Sequence, residues 1–428
     1  MKKRVSPYLL IILSFIFLVL IGSILLILPI ATKQNIKYVE ALFTAGSAVT
    51  ITGLTTISVV DNFTSFGKIV IAILIQLGGL SVTTVTLFIM TILGTRISHG
   101  GRELAKESLN VDSVSGIIKG IKKIVTLALT IELIGTVLIT LILISSGFSF
   151  KEALAKGAFH TISAYNNAGF DIFGNNSLIM FKDNVLFNIV TILLIILGGI
   201  GSIVIIDILN NKRWRKLSFH SKIVIKMTLT LFIFGALSFF ILEKDVTILQ
   251  SFFHSATIRT AGFNTINYNL ISKTSIIIMI LLMYIGGAPA SNAGGIKLTT
   301  AFTLYKTSIG FAKQKEVTTY KRKIPEKYQI KSFMMVFFSM IIIFVSALFL
   351  SIMEKNLTID NIFFEIVNSF SNTGINLGNV ENFHALSKIY LVIVMLIGRI
   401  GILTFISLIS YNKKAPSNLE YIDLNYLV

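Results

Sequence analysis

Along the chain, long uninterrupted apolar stretches alternate with short polar ones. The apolar stretches fall at about residues 8–30, 67–94, 124–146, 183–209, 219–242, 272–308, 330–352 and 384–410. A helix that crosses a bilayer needs roughly 20 apolar residues, so the pattern predicts eight spans in four pairs. Each pair encloses a weaker apolar segment: Lys37–Val49, Lys151–Tyr165, Asp245–Ile258 and Thr358–Phe370. At about a dozen residues these are too short to cross and suit half-helices that enter and turn back.

Every short segment runs into a related glycine turn. The four are Ile51-Thr52-Gly53-Leu54, Asn167-Ala168-Gly169-Phe170, Thr260-Ala261-Gly262-Phe263 and Asn372-Thr373-Gly374-Ile375. The span that follows carries a second mark: Gly78-Gly79, Gly198-Gly199, Gly286-Gly287 and Gly398-Arg399, each 24 to 29 residues after the first glycine. Recurrence in fixed order is the signature of internal repeats. The expected fold is an all-α integral membrane protein of four pseudo-repeats: span, pore half-helix, filter turn, span. Eight transmembrane helices and four re-entrant helices surround a central pore. The repeats cover 1–94, 115–210, 218–310 (with a broken second span) and 328–412, leaving a cytoplasmic tail at 413–428.

Composition supports the membrane reading. Of 428 residues, 54% are hydrophobic and 14% charged, against about a quarter charged in soluble domains; the mean hydropathy is +0.82. The first apolar run follows Met1-Lys2-Lys3-Arg4, but it is too long for a secretory signal and lacks a small-residue cleavage site. It reads as a retained span. With no cysteine, disulfides, thiolate metal sites and cysteine catalysis are excluded.

The net charge of +18 is largely topological. The N-terminus, 95–123, 210–226, 306–331 and the C-terminus hold 25 basic residues, whereas the alternate segments hold 11, balanced by 11 acidic ones. By the positive-inside rule both termini are cytoplasmic and the half-helices enter from outside. Basic clusters confined to juxtamembrane loops argue against a nucleic-acid partner.

Non-helical backbone at membrane depth is tolerated only where it is buried in protein or lines an aqueous cavity, so four such turns imply a shared cavity. Glycine permits backbone angles that bring successive carbonyls to one side, and rings of carbonyls replace an ion's hydration shell. A half-helix directs its partly negative C-terminal end at the centre, which favours a cation. Taken singly, each glycine is equally a close-packing position; the matched set of Thr52, Gly53, Ala168, Gly169, Ala261, Gly262, Thr373 and Gly374 reads as an ion-binding filter. One clear glycine per turn predicts fewer well-defined sites and weaker discrimination between potassium and sodium than a ring of four identical strands would give.

Arg399 stands within an apolar run, where a charge costs at least roughly 2.5 kcal/mol and marks a pathway by default. It is expected below the filter, as a barrier to cations. The alternative is an ion pair that staples helices, with Glu132 as partner. The sixth span is interrupted at Gly286, Gly287, Ala288, Pro289, Ala290, Ser291, Asn292, Ala293, Gly294 and Gly295, a composition that holds no regular helix. It reads as a movable gate or a passive kink. Lys297 beyond it either snorkels to the interface or neutralises the pore. Arg259 is expected to hold its own half-helix end through the carbonyls, His160 to pack, and Asp207 to be a solvated cap. No nucleophile motif or phosphate-cradling loop is present, so no enzymatic activity is expected.

These features resemble the Trk/Ktr/HKT superfamily of potassium transporters, closest to the Ktr-type membrane subunit. The resemblance spans the chain, through the turns TGL, NAGF, RTAGFNT and NTG, the broken segment GGAPASNAGGIK and the closing IGRIG. It implies filter glycines at 53, 169, 262 and 374, an intramembrane gating loop at 286–297 and a charge at Arg399 beneath the filter. It further implies potassium uptake, with sodium as a coupling or activating ion in some members, and no cofactor bound by the chain itself. The implied partners are a second copy, in a homodimer within the plasma membrane, and a cytosolic ring of nucleotide-binding regulatory subunits. The loops at 210–226 and 306–331 and the tail are the docking candidates. The alternatives weighed are a sodium-conducting or non-selective member of the same fold and, more remotely, a membrane scaffold or enzyme.

Overall fold

The structure is a computed structural model and describes residues 6–93, 117–174, 177–266, 268, 271–402 and 404–406. The tail expected at 413–428 lies outside the described residues. The described residues are mostly helical, with one small hairpin among them, Thr318–Thr319 paired with Arg322–Lys323.

Among the described residues, four helices are long and apolar enough to cross a membrane: α1 (Pro7–Ile27), α5 (Ile117–Ser145), α9 (Phe219–Leu242) and α13 (Glu326–Met353). Each forms the first member of an expected pair. In α1 the buried residues Ile11, Phe15, Val19, Gly22 and Leu26 trace one face at the spacing of helical turns. Leu13, Phe17, Leu20 and Ile24 are exposed on the other. A surface this apolar suits lipid rather than water.

The second members do not run straight, which corrects the expectation that only the one in the third repeat is broken. The helix α3 (Ser65–Gly79) turns by 93° into α4 (Val82–Ile92), and α7 (Val185–Ile200) turns by 98° into α8 (Ser202–Asn211). The bends sit at Ser81, φ 66°, and Gly201, φ 88°; α15 (Ala385–Ile400) likewise stops at Gly401, φ 94°. A right-handed helix does not continue through a residue of positive φ, and hydropathy is blind to that. Between α11 (Lys273–Tyr284) and α12 (Leu298–Ala312) lies the expected break.

The four short segments are helices α2 (Tyr38–Val49), α6 (Phe150–Tyr165), α10 (Ile248–Thr260) and α14 (Ile359–Ser371), within three residues of their sequence bounds. Polar caps start two of them: the Ser149 hydroxyl accepts from the Glu152 N–H, and Thr247 and Gln250 form a reciprocal capping box, satisfying otherwise orphan donors. Their last turns are buried throughout, Phe253 to Thr260 in α10 and Phe364 to Ser371 in α14.

Each half-helix lies between the two spans of its own pair, and the second span then packs on the next half-helix. Thus α3 touches α6, α7 touches α10, α11 touches α14, and α15 returns to α2. The sequence of contacts closes on itself, so the C-terminal ends of all four half-helices are brought together.

Asp207 departs from its expected role as a solvated cap. Its carboxylate accepts from the Ser218 N–H at 2.9 Å, the Asn211 side-chain amide at 2.6 Å and the Ser221 hydroxyl. It fastens the bent end of α8 to the first turn of α9.

Candidate functional site

The four turns meet. A Cβ added at Gly53 would run into the carbonyl oxygen of Ala168, one at Gly169 into that of Ala261, one at Gly262 into that of Thr373, and one at Gly374 into that of Thr52. The four contacts form a closed cycle. The glycines have φ of 87°, 70°, 74° and 85°, the left-handed region that glycine adopts at no steric cost. Thus all eight residues expected in the filter stand in one ring.

Two seams of the ring are stitched by side chains. The Asn372 amide donates to the Thr52 hydroxyl at 2.9 Å, joining the fourth turn to the first. Asn167 and Thr260 hydrogen-bond at 2.8 Å, joining the second to the third. Both asparagines have positive φ, 57° and 54°, and Asn is several-fold enriched in that region. Their stitching role was not read from the sequence, although Asn two residues before two of the glycines was the available signal.

The second glycine marks have a packing reason. A Cβ at Gly78 would collide with the Val49 carbonyl, at Gly198 with that of Tyr165, and at Gly398 with that of Phe370. In three repeats, then, the following span lies flush against a carbonyl in the last turn of the half-helix. Forcing one methyl into such a contact costs about 1–3 kcal/mol. Gly398→Ala is expected to lower the unfolding temperature in detergent and reduce the amount in the membrane; an unchanged melting profile would contradict this packing.

The third repeat differs. Gly286 abuts Gly294 of its own broken segment instead of a half-helix end. The segment folds back on itself through Gly286 N–H to Ile296 O, 3.0 Å, and Leu298 N–H to Gly287 O, 3.0 Å. It docks on α7, with the Ala288 and Asn292 N–H groups donating to Gly199 O and Gly198 O. The Asn292 side chain donates to Tyr165 O at 3.1 Å, at the end of the second half-helix. Gly294 sits against Ser371 O at the end of the fourth, and Gly295 has φ 68°. Ser291 donates to Ala288 O within the segment. The loop therefore bridges two half-helix ends from opposite repeats and crosses beneath the ring.

Three cations clasp it. Arg399 donates to Asn292 O at 3.1 Å and to Gly78 O and Gly79 O at 2.6 and 2.7 Å. Lys297 donates to Ala293 O at 2.6 Å, so it does not snorkel. Arg259 donates to Gly286 O at 3.2 Å; it holds the start of the loop and not, as expected, its own half-helix. The alternative pairing of Arg399 with Glu132 is also overturned. Glu132 accepts from Gln76 and Asn166, each at 3.0 Å, because the carbonyls at the end of α3 already occupy the guanidinium. His160 packs as expected, fully buried against Phe187 and Phe263 with its ring hydrogen-bonded to Thr191 at 2.9 Å.

On one side of the ring opens a cavity of about 660 Å³, lined by the four glycines together with Asp171, Asn264, Asn376 and Glu381. On the other, between Gly79, Asn292, Lys297 and Arg399, the space is about 120 Å³. The wide side is acidic and the narrow side basic. Asp171 lies in the loop after α6, where burial pushes its carboxyl up to about 6 against hydrogen bonds from Ser177 and the Phe173 N–H.

A family model described as TrkH, a cation transport protein, matches residues 4–248 and 234–420. The Ktr system potassium uptake protein B of Bacillus subtilis is 34% identical, over 98% of this chain and 96% of its own length. The potassium/sodium uptake protein NtpJ of Enterococcus hirae is also 34% identical, with the same coverage. Among solved structures, the potassium transporter TrkH from Vibrio parahaemolyticus superposes with a TM-score of 0.76, at 19% identity, over 95% of this chain and 86% of that one.

Proposed function

The chain belongs to the TrkH family of cation transport proteins, and from that premise we propose that it is the ion-translocating subunit of a potassium uptake system. The closed cycle of four glycine–carbonyl contacts carries the reading. Such a ring presents backbone oxygens to a dehydrated cation, at the focus of four half-helix C-termini whose dipoles favour positive charge. Four quarter-repeats, each contributing one turn, surround this pore. The broken segment at 286–297 is its gate, and Arg399, Lys297 and Arg259 hold that gate shut below the filter.

The placement of basic residues supports cytoplasmic termini, so the wide acidic cavity faces outward and collects cations. Exposed Arg213, Arg215, Lys321, Arg322 and Lys323 lie on the opposite side. They offer a surface to a cytosolic nucleotide-binding ring, the partner that the family resemblance implies. A homodimer in the plasma membrane fits the same resemblance.

A potassium-uptake-deficient cell expressing this chain, with and without a regulatory subunit, should regain growth at low potassium. Failure in both backgrounds, with the protein present in the membrane, would refute the reading. The name of the Enterococcus relative favours testing sodium as a second cargo. Each turn has a single glycine, which supports weak discrimination; strict exclusion of sodium from reconstituted vesicles would contradict that.

Asp171 supplies a further expected result. Its charge concentrates cations outside the ring above about pH 6 and is neutralised below it. Asp171→Asn should raise the KM for potassium several-fold with little change in maximal rate. The wild type should show the same rise on acidification through pH 6, and the variant should not. A KM indifferent to both changes would remove Asp171 from the pathway.

A further inference from the structure

The turns of the ring are not supported equally from behind. Six residues before each glycine, on the half-helix that leads into it, stand Ser47, Ser163, Ala256 and Asn368. All four are buried. In three of them the backbone carbonyl accepts from the residue before the glycine: Thr52 N–H to Ser47 O, Ala168 N–H to Ser163 O, and Thr373 N–H to Asn368 O. The position therefore faces the back of the turn. The side chains differ in reach. The hydroxyls of Ser47 and Ser163 find no hydrogen-bond partner, and alanine has none to offer.

Asn368 reaches. Its Oδ1 accepts from the Gly374 N–H at 2.8 Å and from the Ile375 N–H at 3.1 Å, and its Nδ2 donates to Ile375 O at 2.6 Å. In a trans peptide the N–H and the carbonyl of the preceding residue point in opposite directions. Drawing the two N–H groups back to Asn368 therefore turns the Thr373 and Gly374 carbonyls away from it, toward the axis. The Thr373 oxygen is indeed the one that meets Gly262 across the ring.

Resting on the transport reading above, we propose that Asn368 is a selectivity-determining positioning residue, which fixes the two carbonyls that the fourth turn gives to the ring. It touches no ion and acts through the backbone it holds. Choosing potassium over the smaller sodium requires that the oxygens resist closing inward, and a carbonyl whose peptide is tethered from behind resists. The fourth turn is thereby the stiff quarter of the filter.

The test is potassium and sodium uptake by the purified full chain in vesicles, each ion measured alone and in competition. Asn368→Ser places here the side chain found at the matching position of two other repeats, so the half-helix tolerates it. Losing the three hydrogen bonds should cut the potassium-to-sodium preference several-fold, toward parity, with cation flux retained. Asn368→Asp keeps oxygen acceptors for both N–H groups and should restore much of the preference. A conducting wild type whose preference is unchanged by Asn368→Ser overturns this assignment alone. A wild type that carries neither ion overturns the transport reading and the assignment with it.

Discussion

Gly374→Ala is expected to cut potassium uptake by about tenfold or more while leaving the protein in the membrane. The new methyl would meet the Thr52 carbonyl oxygen of the first repeat, and it would sit on a residue with φ 85°. A left-handed conformation costs an L-residue about 1–2 kcal/mol. The collision adds to this and is not relieved by rotating a side chain, because the partner is backbone. The ring can accept the methyl only by opening, and opening moves the oxygens away from a dehydrated ion. Flux should fall by about tenfold or more, the factor that about 1.4 kcal/mol on a barrier represents. Uptake of labelled potassium, normalised to membrane-inserted protein, would decide the matter. Wild-type flux through the alanine variant would mean that the cycle of contacts is not the conduction path.

Arg399→Ala should act in the opposite direction and raise the maximal rate. The guanidinium makes three hydrogen bonds, one to the loop at Asn292 O and two to the end of α3. Bonds from a charged donor contribute about 1.5–3 kcal/mol each. Removing them frees the loop from the second span and takes a positive charge out of the narrow side of the pore. Transport should accelerate several-fold and lose part of its dependence on a regulatory subunit, while the unfolding temperature in detergent drops. Arg399→Lys keeps the charge but cannot fork to three carbonyls, and so should fall between the two. Were rates unchanged and only stability lost, Arg399 would be a staple and not a barrier.

Much of this arrangement was legible in the residues. The half-helices are legible because their short, weaker apolar runs contrast with the full-length runs around them. The ring was found because one glycine recurs at one place in each unit. What escaped was three-dimensional partnership. Glu132 and Arg399 are both charges in apolar runs, and sequence offers no reason to keep them apart; only the folded chain shows the end of α3 claiming the arginine. Arg259 was assigned to the nearest carbonyls along the chain, although the carbonyl it binds belongs to Gly286, 27 positions on. The bends at Ser81 and Gly201 were hidden because an apolar run reads the same whether it is straight or folded. Asn368 passed unnoticed for a related reason: its role is visible only beside Ser47, Ser163 and Ala256 once the turn behind which they stand is in view.

The seating of Gly78, Gly198 and Gly398 on the half-helix ends of three repeats has no counterpart in the repeat that carries the loop. Three quadrants are thus cemented to the filter they support, and freedom is confined to the third repeat, which carries the loop. A gate built this way can swing without loosening the oxygens above it, so opening and ion choice are separate properties. Evolution can retune how readily the pore opens by editing one quadrant, while the remaining three preserve what passes through.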